Sequence, residues 1–369
     1  MILTLPTRRT GWLTHARYYE HDAGLNFGRW VEPGVMLESA AGKRRIADLV
    51  AACGLGEVLV PLVPVALDRT DLLRFHTPDY VDHVAALSAG PGGEAGDFAH
   101  VGPGSYEIAA LAAGGTYEAV RAVVTGKVDN AYALVRPAGH HAEPARGRGY
   151  CLFGNLALAV LKARADLGVQ RVAVVDVDVH HGNGTAVAFA SDPSVLAVSI
   201  HQHLMYPEDS GHATEVGSGA GVGATINVPL PPGCGEGAYA DAFDRVVEPA
   251  LRRFRPELIV VACGFDAGGL DPLGRMLLSA AAFGRLTARV LGLADALCAG
   301  RLVFTHEGGY SELHTPFCGV AVLEALSGAA TDVEDPFGWL DDDPHQALAP
   351  HQRAAVDVAV AAMQAAAEG

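Results

Sequence analysis

Five apolar runs in this chain each end on a cluster of ionisable residues. Val135 leads into Arg-Pro-Ala-Gly-His-His, and Val175 into Asp-Val-Asp-Val-His-His-Gly-Asn-Gly. Ile200 leads into His-Gln-His, Ala262 into Cys-Gly-Phe-Asp, and Thr305 into His-Glu-Gly-Gly-Tyr. The runs 131–135, 172–176, 195–200, 258–262 and 302–305, with 225–228 as a sixth, read as strands. Several are continuously apolar, as expected of strands covered on both faces. Helical spacing marks 43–52, 105–125, 155–167, 237–253 and 280–298, and Thr77-Pro78 opens a further helix. Alternation of this kind predicts an α/β chain: a three-layer arrangement in which helices sandwich one parallel sheet. Open parallel sheets place their sites at the carboxyl ends of the strands, and the ionisable residues fall there.

No repeat or linker divides the chain, so a single catalytic domain over 1–369 is expected. Its core spans about 41–330, residues 1–40 form an extended, irregular segment that includes Tyr18 to Asp22 and Gly24 to Gly34, and a helical tail covers 350–369. Half the residues are apolar, enough for a large core, and the charge is 26 − 42 = −16. That balance argues against nucleic acid, which recruits Lys and Arg to displace counterions, and suits cationic substrates. The six cysteines form no C-x-x-C pair. The first ten residues lack the apolar stretch of a signal peptide, and no apolar run is long enough to span a bilayer. A cytoplasmic location without membrane association is therefore expected.

Asp178 and His180 lie two apart where a strand runs out, so their side chains share a face. Asp266 follows another strand. Two carboxylates and one imidazole with room for water suit catalytic Zn²⁺, and Fe²⁺ or Mn²⁺ is chemically acceptable too. Asp176 lies deeper on the same face and fits the role of an acceptor behind the ligands. The pair His140-His141 offers a general base. The phenol of Tyr310, after Gly308-Gly309, can donate to a developing oxyanion.

Together these stretches resemble the arginase/deacetylase fold, specifically the histone deacetylase-like amidohydrolases. The resemblance rests on Arg136 to Ala142, Gly149 to Cys151, Asp176 to Thr185, Gly264 to Asp266 with Asp271-Pro272, and Glu307 to Tyr310, in the family's order and spacing. It implies zinc on Asp178, His180 and Asp266, with His141 as base and then acid. His140 would be its electrostatic partner, bonded to Asp176, and Tyr310 would polarise the carbonyl. It implies potassium on Asp176, Ser199 and carbonyls of Asp178, His180 and Ile200, and a second such site at carbonyls of Phe189, Asp192 and Val195. It places Gly149, Tyr150, Tyr206, Leu273 and Gly308 against the substrate and Arg45 in a channel behind the metal. Asn183, where many class I enzymes carry Asp, matches class II and still orients His141.

Gly182 and Gly268 stand where arginases need second-metal carboxylates, so arginase chemistry is disfavoured. The expected substrate is an acyl-lysine or a small acylated amine. Acetylpolyamine hydrolysis is the close alternative, although its selective members carry Glu at the tunnel mouth, where this chain has Leu273. A non-catalytic acyl-amine binder is the reading from another class. A homo-oligomer is compatible with this reading.

Overall fold

A computed structural model describes residues 3–24 and 37–368. Eight strands form one sheet: β1 Thr10–Leu13, β2 Val60–Leu62, β3 Asn130–Ala133, β4 Val172–Asp176, β5 Val195–Gln202, β6 Thr225–Leu230, β7 Leu258–Cys263 and β8 Leu302–His306. Their order is β6-β5-β4-β7-β8-β3-β1-β2, and each adjacent pair is parallel. The main helices are α1 Ala40–Ala52, α2 Pro78–Ala89, α3 Ser105–Val124, α4 Asn155–Leu167, α5 Ala280–Cys298, α6 Thr315–Ser327 and α7 Pro350–Glu368.

Successive strand residues point to opposite faces, and the chain fills both. Ala173, Val175, Ile259 and Val261 join one core with Ile46 of α1, Val290 of α5 and Leu323 of α6. Val172, Val174, Leu258 and Val260 join the other with Val120 of α3 and Leu156 of α4. This is the expected three-layer architecture. Side chains of α7, including Val356 and Met363, close the first core. Among the described residues no helix is long and apolar enough to cross a membrane.

Two strands escape a sequence pattern. Residues 10–13, expected to be irregular, form β1 inside the sheet, between β2 and β3. Four residues with a glycine among them are too few for an alternation signal. At the sheet edge, β2 contains Pro61, and proline is tolerated on an edge because its missing N–H breaks no interior ladder. The segment Tyr18 to Asp22 is also ordered in part, as a 3₁₀ turn over Ala16–Glu20. Most of Gly24 to Gly34 lies outside the described residues. The helix expected over 237–253 spans 236–254 with a π turn at Phe243–Val247.

The order has one consequence for function. From β4 the chain moves outward through β5 to β6, then returns to place β7 on the other side of β4. The crevice at the carboxyl ends of β4 and β7 is therefore a topological switch point, the usual location of a site in such sheets.

Candidate metal centre and channel

The ligand candidates meet at that crevice. His180 Nδ1 lies 3.1 Å from Asp178 Oδ1 and 3.1 Å from Asp266 Oδ2. All three residues are buried. Backbone amides aim the carboxylates: Gly308 N–H donates to Asp178 Oδ2 at 2.8 Å, and Val179 N–H to Asp266 Oδ1 at 2.8 Å. Tetrahedral zinc with bonds of roughly 2.0–2.1 Å sets its ligand atoms about 3.3 Å apart, so the donor set and its spacing fit that ion. Burial together with the Asp178 charge pushes the Asp266 carboxyl up to about 7. Two buried carboxylates this close ionise together only beside a cation.

The paired histidines have opposite electrostatics. His140 Nδ1 is 3.0 Å from Asp176 Oδ2. Burial works against its charge, but the Asp178 and Asp176 carboxylates outweigh it and push His140 well above the usual histidine range. Burial, then the positive charges of His140 and His180, push His141 well below that range. One imidazole is thus held protonated and its neighbour neutral, a division that assigns acid and base roles. His141 Nδ1 is 2.8 Å from Asn183 Oδ1, and Asn183 Nδ2 donates to Glu143 Oε1 at 2.8 Å. A carboxylate can accept from the amide NH₂ but not pair with its oxygen, so Glu143, with the His141 carbonyl that Asn183 Nδ2 also reaches at 3.2 Å, fixes which end of Asn183 faces His141. That acceptor holds the His141 proton on Nδ1 and leaves Nε2 free to accept.

A cavity of about 200 Å³ is lined by Phe98, His141, Gly149, Tyr150, His180, Met205, Tyr206, Leu273 and Tyr310. Exposure falls from 57% at Phe98 to 3% at His141, which makes it a channel running from a surface rim to the buried histidines. Gly149 has φ +51°, and a Cβ there would strike the His141 ring and Tyr206, so only glycine lets the wall close. The Tyr206 ring stands edge-on to His141, with centroids 5.1 Å apart, and its hydroxyl donates to Asp97 Oδ2 at 3.0 Å. Tyr150 packs 5.8 Å from Tyr310. The Tyr310 backbone is held by Asp271, which accepts the N–H groups of Tyr310 at 2.6 Å and Ser311 at 3.1 Å.

Asp176 and Ser199 are register partners on β4 and β5. They line a small cavity with Thr185, Thr225 and Asn227, and Ser199 Oγ lies 2.9 Å from His201 Nδ1. Ile200 lies in the same strand as Ser199. Near the second proposed cation position, the carbonyls of Phe189 and Asp192 already accept the amides of Asp192 and Val195 at 3.0 and 3.3 Å.

One placement needs correction. Arg45 is half-exposed and pairs with Glu312 at 3.5 Å on the outer side of α1, not in a channel behind the metal. Two residues earlier, about 200° around the helix, Lys43 is buried on the face shared with Ile46 and Val50. Lys43 pairs with buried Glu38 at 3.3 Å and lies 5.2 Å from the Tyr310 ring centroid. Arg136 clamps the same Glu38 at 2.7–3.0 Å. Gly308, expected against substrate, lies against the carboxylates, where a Cβ would collide with Asp266 and Asp178.

The sequence reading also passed over Phe98, Met205 and Glu143. Phe98, a lone aromatic after the Gly90–Gly96 loop, was the one with a visible signal.

A family model for the histone deacetylase domain matches residues 37–326. The chain belongs to the histone deacetylase family. It is 47% identical over 339 residues to a histone deacetylase-like amidohydrolase of Pseudomonas aeruginosa, with 89% of each chain covered. To a probable deacetylase of Archaeoglobus fulgidus it is 37% identical over 288 residues, 78% of this chain and 79% of that one. Among solved structures it matches the HDA15 HD domain with a TM-score of 0.86 at 31% identity, covering 98% and 96% of the two chains. Amidohydrolase chemistry therefore comes with the family.

Proposed function

We propose that this chain is a zinc-dependent deacylase that hydrolyses acyl-lysine or similar acylated amines. The observation that carries the reading is the convergence of Asp178, His180 and Asp266 beside a channel that also presents His141 and Tyr310. Asp178, His180 and Asp266 would hold the ion, which when bound supplies a Lewis acid for water and for the scissile carbonyl.

The rest follows from the chain's own groups. The ring walls of Phe98, Tyr150 and Tyr206 bury the methylene arm of the acylated amine and leave its amide at the histidines. Neutral His141, with Nε2 free, takes the proton from the attacking water. Protonated His140, anchored by Asp176, stabilises the negative charge that develops next to it. The Tyr310 hydroxyl donates to the oxyanion. His141 then returns its proton to the leaving amine, and a carboxylic acid and a free amine depart. Asp176 and Ser199 would hold a potassium ion with carbonyls of Asp178, His180 and Ile200, as the resemblance implies. The second cation position, at carbonyls of Phe189, Asp192 and Val195, rests on the resemblance alone. All six cysteines are unpaired, which supports a reducing, cytoplasmic setting.

Leu273 lines the channel and offers no partner for a distal ammonium. Asp209, a nearby candidate, is already tied to Arg148 at 3.2 and 3.3 Å, and Glu215 accepts the amides of Gly211 and His212. Acyl-lysine is therefore the favoured substrate over acetylpolyamines. A panel of acetyl-lysine peptide, longer acyl-lysines and acetylspermidine, compared by kcat/KM, tests this. Leu273→Glu should raise the acetylspermidine to peptide ratio. An unchanged ratio would assign selectivity to another part of the rim.

Glu143 is expected to act through Asn183. Without Glu143, Asn183 Nδ2 keeps only the His141 carbonyl as acceptor, at 3.2 Å, so the amide and the His141 tautomer are held less firmly. Glu143→Ala should lower kcat about tenfold, one hydrogen bond's worth of orientation, with KM unchanged. Asn183→Ala with Glu143→Ala should be no worse than Asn183→Ala alone, since the two act in series. Additive losses in that double-mutant cycle would show that Glu143 acts elsewhere.

A further inference from the structure

Beside the proposed zinc ligands lies a second group of candidate ligand atoms, of which the proposed mechanism uses only His140. His140, Cys151 and Glu307 each place one donor atom within 4.8 Å of the other two. Their relative exposures are 3%, 0% and 0%. Glu307 Oε2 is occupied, accepting the N–H groups of Gly139 at 2.7 Å and His140 at 3.0 Å. Its other oxygen, Oε1, is buried without a partner. An orphaned carboxylate oxygen in a protein interior is costly, and here it stands beside a thiol and an imidazole. With Nδ1 of His140 bonded to Asp176, Nε2 is the nitrogen it has to give.

We propose that His140, Cys151 and Glu307 form a second, inhibitory site for a thiophilic divalent cation such as Zn²⁺. Nitrogen, sulfur and one carboxylate oxygen are ordinary zinc donors, and three protein ligands leave a fourth position open. The surroundings favour positive charge, because Asp176, Asp178, Asp266 and Glu307 bring four carboxyl groups into one buried region. The thiol and His140 protons leave as the cation enters. Occupancy thus ties up the His140 imidazole that the proposed reaction places beside the developing charge. His140 Nε2 is 3.8 Å from Asp178 Oδ2, so the two sites are neighbours without sharing a ligand.

The inhibitory consequence rests on the proposed deacylase reading, but the binding does not, and the test separates them. Holoenzyme carrying one zinc per chain is titrated with Cd²⁺, recording bound metal, the ultraviolet thiolate-to-cadmium charge-transfer band and, separately, peptide deacetylation. The first site contains no sulfur, so metal exchange there is silent in that band. The expected result is one additional equivalent bound, with the band rising and activity falling in step. Cys151→Ser should keep the first equivalent, the fold by its melting curve and the basal activity, while losing both the band and the inhibition. Glu307→Gln, which can still accept the two backbone amides, should weaken the band without abolishing folding. No additional equivalent, or a band of equal size in Cys151→Ser, would overturn the site. A band without inhibition would keep the site and overturn its inhibitory role. An enzyme inactive throughout but showing the Cys151-dependent band would retain the site and sink the deacylase reading instead.

Discussion

Tyr310→Phe should lower kcat by about 10²–10³ and leave KM little changed. The substitution keeps the ring, with its contact to Tyr150 and its place beside Lys43, and deletes one hydroxyl. That hydroxyl is a reliable donor. Burial, reinforced by the Asp266 and Asp178 carboxylates, pushes its pKa well above the usual tyrosine range, so it stays protonated at any working pH. Its loop is set by Asp271 through two backbone hydrogen bonds, so the phenol is positioned before substrate arrives. An interaction that strengthens as charge develops on the oxygen acts on the transition state, and its loss appears in kcat. Trifluoroacetyl-lysine, with a more electrophilic carbonyl, should suffer less than acetyl-lysine. Steady-state kinetics on both substrates, with bound metal measured alongside, check this. A variant that changes only KM, or that loses metal, would move Tyr310 into a different role.

Asp266→Ala should abolish activity by removing a charged ligand. The remaining pair, Asp178 and His180, cannot enclose a tetrahedral ion, so the loss of affinity should exceed the roughly 10–100-fold that follows removal of a partner behind the ligands. Stability should respond in a distinctive way. The variant loses one acceptor for Val179 N–H, but it also relieves the burial of two adjacent carboxylates. Zinc should raise the melting temperature of the wild type by binding only its folded state, and should leave that of Asp266→Ala unmoved. Equal zinc stabilisation of both proteins would place the ion elsewhere.

The parts of this site that were legible in the sequence are those written as local interruptions. Asp176, Asp178 and His180 stand out because ionisable residues break an apolar strand at its end, and Asp266 and Tyr310 do so on β7 and β8. The strands themselves were legible because both faces of the sheet are buried, which forces long apolar runs. Side chains that act through partners distant in sequence were not legible. Glu143 earns its place from Asn183, forty residues on, and Lys43 from Glu38 and the Tyr310 ring. Arg45 and Lys43 are two residues apart, a step that turns half-way round a helix and separates a surface cation from a buried one. Strand β1 was hidden for another reason. It borrows its order from β2 and β3 on either side, and a four-residue segment carries little pattern of its own.

The measurement that bears most directly on the metal-centred mechanism is a zinc titration of metal-stripped wild type and Asp266→Ala. Acetate release from an acetyl-lysine peptide and bound zinc are followed together. The stripped wild type should be silent, with activity rising in proportion to added zinc and reaching its maximum at one ion per chain. Asp266→Ala should stay silent over the same range and bind less than one ion. Full turnover by the stripped wild type, or recovery of Asp266→Ala at one equivalent, would contradict a mechanism built on Asp178, His180 and Asp266.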